Sequence, residues 1–150
     1  MQKLHFSTII KAPREKVWHT MLDAQSYQEW ATAFNPGSSY KGDWSKGSKM
    51  LFVGPDPKTG EEGGMVCEIV ENRPNEYISI AYKGFVRNGV EDTSSDAAQQ
   101  WVGVHENYTF NEKDGDTELL IDIDVADEFV KDFSEMWPKA LENLKALAEK

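Results

Sequence analysis

The side chains able to do acid–base, nucleophilic or metal chemistry are few in this chain, and they do not cluster along it. His5, His19 and His105 are far apart, and no C-x-x-C, H-E-x-x-H or H-x-H spacing gathers metal ligands. Gly60, Gly63 and Gly64 read as a turn and not as a phosphate-cradling G-x-x-x-x-G-K-[ST] loop, and no serine stands in a G-x-S-x-G elbow. No metal or other cofactor is expected. Cys67 has apolar neighbours in mid-strand and reads as a small buried hydrophobe. Glu106 breaks the pattern. It alternates with Val104, Tyr108 and Phe110, so if those three face inward, Glu106 faces inward too. A carboxylate on a concave apolar face must be paired, protonated or near water. Two readings follow: a ligand anchor or acid/base with a raised pKa, or a structural Glu at the cavity rim bonded to the neighbours of Tyr108, a backbone amide or Lys83. On the same inward faces fall Met50, Phe52, Met65, Tyr82, Tyr108, Phe133, Met136 and Trp137. Apolar walls with a few polar groups describe a binding pocket, and methionines suit varied guests. The alternative is a filled core.

The elements that must position these residues follow from pattern. Residues 3–10 alternate as a strand, with Leu4, Phe6, Thr8 and Ile10 on one face. Ala12-Pro13 ends it, and Pro13 suits the first turn of the helix that REKVWHTML continues. A second short helix over 24–30 offers Tyr27 and Trp30. Turn residues then separate strands expected at 38–44, 48–54, 64–72, 76–85, 100–111 and 117–125. In the last, Leu119, Ile121, Ile123 and Val125 point one way and Asp122 and Asp124 the other, as in an antiparallel sheet with one wet face. The segment 127–149 is the longest helix, with Pro138 expected to kink or reset it. The irregular stretch 86–99 reads as a solvated loop or lid, with Trp101 at the following strand's start, facing opposite to Tyr108.

The 150 residues suggest one domain, 1–150, large enough to bury a core without disulfides or a structural metal. The net charge of -10 and pI near 4.7 argue against phosphate backbones and anionic membrane surfaces as partners. No apolar run reaches the ~20 residues of a membrane span, and MQKLHFSTII alternates like a strand and not like a signal peptide. A lone cysteine fits a cytoplasmic setting.

The order strand, two short helices, six strands, long helix comes with Ala12-Pro13 before Val17-Trp18, then Trp30 and Lys46-Gly47. Glu106-Asn107-Tyr108-Thr109-Phe110 follows, and then Trp137 with Leu141, Leu144 and Lys145. In these features the chain resembles the START-like, or SRPBCC, superfamily, and within it the branch of activators of the heat-shock-protein-90 ATPase. The resemblance spans essentially the whole chain. It implies an α+β helix-grip (Bet-v-like) fold: a curved antiparallel sheet wrapped around the C-terminal helix, with Trp18 and Trp30 plugging one end. It implies three functions in descending order: a binder of an apolar or amphipathic small molecule, a chaperone-associated interaction module, and a cyclase- or hydrolase-like enzyme using Glu106. The ligand-binding residues expected are Met50, Phe52, Met65, Tyr82, Glu106, Tyr108, Phe133, Met136 and Trp137.

Overall fold

The computed structural model describes residues 1–150. Strand β1 (Gln2–Ile10) leads through Ala12-Pro13 into helices α1 (Arg14–Leu22) and α2 (Ala24–Trp30) and a 3-10 turn at Ala31–Ala33. Pro13 holds an extended backbone just before α1, which stops the strand and starts the helix in one residue. Then come β2 (Ser39–Lys41), β3 (Lys49–Pro55), β4 (Glu62–Arg73), β5 (Tyr77–Arg87), β6 (Val90–Asp92), the short helix α3 (Asp96–Gln99), β7 (His105–Lys113) and β8 (Asp116–Val125). A 3-10 turn at Asp127–Phe129 opens the long helix α4 (Val130–Ala148).

All strands join one antiparallel sheet in the order β1-β8-β7-β5-β4-β3-β2, with β6 paired to the far end of β5. The sheet curves around α4, as the helix-grip architecture requires. The reason is visible in the apolar faces. Along β8, Leu119, Ile121, Ile123 and Val125 are buried, and along α4 so are Trp137, Ala140, Leu141, Leu144 and Ala148. Leu119 and Ile121 join the α4 residues and the apolar faces of α1 and α2 in one buried cluster, where these faces leave water together. Helices α1 and α2 close one end. Trp18 packs on Phe110 with ring centroids 5.2 Å apart. Trp30 donates from Nε1 to the Met21 carbonyl at 3.1 Å and is 2% exposed.

Several expectations need correction. The stretch 86–99 is not irregular throughout, because Val90–Asp92 folds back on Phe85–Arg87 and Ser95 caps α3 by accepting from the Ala98 amide. The seventh strand begins at His105 and not at 100, so Trp101 lies in the turn after α3, outside any strand. Its ring stacks between Tyr82 and Phe129, 6.1 Å from each. Local alternation could not reveal this, since Trp101's environment comes from β5 and the 3-10 turn before α4. Gly63 and Gly64 are strand and not turn. At Gly64 a Cβ would lie 1.9 Å from the Phe52 carbonyl oxygen, so the glycine permits the close approach of β3 to β4. Helix α4 runs through Pro138 as one element and does not reset there. No helix is long and apolar enough to cross a membrane.

Candidate functional site

The site is built around Glu106. Its backbone pairs with Ile80 of β5 on one side and Ile123 of β8 on the other, in unbroken register. Both partners are buried on the concave face, so Glu106 shares that face. Tyr108 stands two residues along the same strand face. Tyr82 lies diagonally across on β5, where its amide donates to the Val104 carbonyl at 2.9 Å. This diagonal is within reach of an aromatic side chain. The Tyr82 hydroxyl donates to Glu106 Oε1 at 3.0 Å, and the Tyr108 hydroxyl donates to Oε2. Each carboxylate oxygen therefore has its own phenol.

Lys83, one of the partners considered from sequence, is not among them. A register shift between Val66 and Cys67 leaves Lys83 unopposed in the β4–β5 ladder. It faces the outer side of the sheet with Lys49, Glu68 and Glu91.

Glu106 sits deep in the protein, and the surface it retains faces a cavity. Burial pushes its carboxyl pKa above the ordinary value, and the hydrogen bonds from Tyr108 and Tyr82 pull it part of the way back. The phenols respond in kind. Burial raises Tyr82 and Tyr108 well above their ordinary value, and the negative charge of Glu106 raises them further. Tyr27 and Cys67 shift upward for the same two reasons.

The cavity measures about 250 Å³ and lies between the concave face of the sheet, α2 and α4. Eight of the nine residues expected from sequence line it: Phe52, Met65, Tyr82, Glu106, Tyr108, Phe133, Met136 and Trp137. Met50 does not. It is wholly buried in the core beside Cys67, its partner across the β3–β4 ladder. Helix α4 supplies Phe133, Met136 and Trp137, spaced i, i+3, i+4 on one face. Sequence reasoning missed the wall made by Tyr27, Trp30 and Phe34 with Asn35 and Ser38. The signal was present in the aromatic face of α2, but it read as a plug for the closed end. Trp30 and Trp137 both belong to core and wall, and their rings lie 6.3 Å apart. The indole Nε1–H of Trp137 is buried and has no hydrogen-bond acceptor in the protein.

The other titratable candidates stand apart from this site. His5 pairs with Asp122 on the wet face of the sheet, His19 lies 3.5 Å from Asp23, and His105 Nδ1 lies 3.0 Å from the Gly103 carbonyl. Two other hollows measure about 530 and 490 Å³. The first is bordered by Lys49, Glu68, Lys83 and Glu91, and the second lies beside Trp101 and Phe129. The arrangement around Glu106 can hold a proton or a hydrogen-bonding guest in an apolar setting.

Solved structures share this fold across nearly the whole chain. Protein CV1439 from Chromobacterium violaceum superimposes with a TM-score of 0.70 at 19% identity, covering 100% of this chain and 99% of that one. ChR145 from Cytophaga hutchinsonii gives 0.72 at 19% identity, covering 99% and 94%. CalU16 from Micromonospora echinospora gives 0.66 at 16% identity, covering 97% and 75%. At these identities the likeness is one of fold. No curated protein matches the chain. The family model described as "Activator of Hsp90 ATPase homolog 1-like protein" matches residues 11–149, from the Ala-Pro break to the end of α4. The chain therefore belongs to the family of Activator of Hsp90 ATPase homolog 1-like proteins, within the START-like architecture.

Proposed function

We propose that this protein is a non-enzymatic binding domain, formed by residues 1–150 as one unit, that holds an apolar or amphipathic small molecule between the sheet and α4. The observation that supports this most is the cavity itself: mainly apolar walls, with one carboxylate held in place by two phenols. Burial of the guest's apolar surface would supply affinity at ~25 cal/mol per Å². Glu106, Tyr82 and Tyr108 would set its orientation. The lone buried Cys67 suits a reducing, cytoplasmic setting for such a carrier.

Native mass spectrometry of the freshly purified protein, followed by denaturation, tests this. A stoichiometric mass added to the 17.0 kDa chain, released on unfolding, is the expected result. A bare chain that also fails to bind a fluorescent apolar probe saturably would overturn it. The family description favours the second reading, a module that docks on a chaperone. It predicts capture of a heat-shock-protein-90 chain by the purified protein with the cavity left empty.

A further inference from the structure

The cavity has a charge character that limits what can enter it. Glu106 is the one formally charged side chain in its wall, and no lysine, arginine or histidine lines it. The Glu106 oxygens already accept from Tyr82 and Tyr108, so two donors but no cation face the carboxylate. An apolar carboxylate entering here would set a second negative charge beside the first, away from bulk water, with no countercharge to share. A protonated amine would bring the missing charge. Its nitrogen would meet a carboxylate prepositioned by two hydrogen bonds, in a cavity whose wall includes the aromatic side chains Tyr27, Trp30 and Trp137. The net charge of -10 would also draw cations toward the molecule from a distance.

We propose that the cavity takes a hydrophobic amine, with its protonated nitrogen against Glu106, and disfavours apolar carboxylates of the same size. This inference rests on the carrier reading and adds the chemical class of the guest.

Calorimetric titration with phenylbutylamine, phenylbutanol and phenylbutyrate at neutral pH and fixed ionic strength tests it, because the three share one apolar body. The amine is expected to bind at least about tenfold tighter than the alcohol, the scale of one charge-assisted hydrogen bond, and the carboxylate weakest. Glu106→Gln is expected to abolish the amine's advantage, and Glu106→Asp, which withdraws the carboxylate by one methylene, to reduce it. Circular dichroism of each variant would check that it is folded. The unmodified protein alone already decides the order of the three probes. Equal affinity for amine and alcohol, or tighter carboxylate binding, overturns the amine proposal and leaves the carrier reading standing. An amine preference that survives in folded Glu106→Gln reflects attraction to the acidic surface and also overturns it. No saturable binding of any of the three overturns it as well, and the mass-spectrometric result then judges the carrier reading separately.

Discussion

At the scale of the residue, Glu106 carries a cost that the protein partly offsets with hydrogen bonds. Tyr82 of β5 and Tyr108 of β7 bond it, its charge also reaches Cys67 of β4 and Tyr27 of α2, and none of these is a cation. Its folded pKa is raised, so the folded state holds the proton more tightly than the unfolded chain does. The associated stability is fully present below the unfolded carboxyl value of 4.5 and is lost as pH rises through the folded value. Asp124 and Glu149 are shifted downward and act in the opposite sense, so a single melting curve would mix the effects. The difference between variants separates them. The Tm of Glu106→Gln minus that of the unmodified protein is expected to grow more positive from about pH 4 to about pH 8. A difference that stays flat would mean that Glu106 titrates as it does in the unfolded chain. That Glu106 faces inward was legible from its alternation with Val104, Tyr108 and Phe110. Its partners were not, because Tyr82 arrives through the pairing of β5 with β7.

At the scale of the element, α1 and α2 do two jobs. They cap the open end of the curved sheet, and α2 lends its aromatic face to the cavity. Trp18 belongs to the first job: it is 8% exposed, packs on Phe110 and does not line the cavity. Trp18→Ala is expected to cost ~3–5 kcal/mol in chemical denaturation, as for other buried Trp truncations. A loss below ~1 kcal/mol would place the ring in a role other than core packing. The start of α1 was readable from Ala12-Pro13, because proline acts on its own backbone and its neighbour's. The boundary of β7 was not. Trp101 and Val102 carry strand-like residue types, yet α3 and the turn after it hold Trp101 between Tyr82 and Phe129.

At the scale of the whole molecule, a charge of -10 on a small domain makes the folded state repel itself. The ion pairs present, such as Lys3–Asp124 at 3.0 Å and Lys49–Glu91 at 2.8 Å, lie at the surface and contribute little each. Raising NaCl from about 10 mM to about 150 mM shortens the reach of that repulsion, so Tm at neutral pH is expected to rise. A fall would show that the surface pairs outweigh it. The sequence by itself determined the order of the elements other than β6 and α3, the inward face of β8, the stripe on α4 and the inward side of Glu106. All of these follow from periodicities of two or 3.6 residues and from proline, which act over a few neighbours. Only the tertiary structure decided that Met50 is core and Phe52 is wall, that Lys83 turns outward, and that α2 faces the cavity. Those outcomes depend on inter-strand register, on one bulge and on how far the sheet curves around α4. These are set by contacts between residues distant in the chain, and no local pattern encodes them.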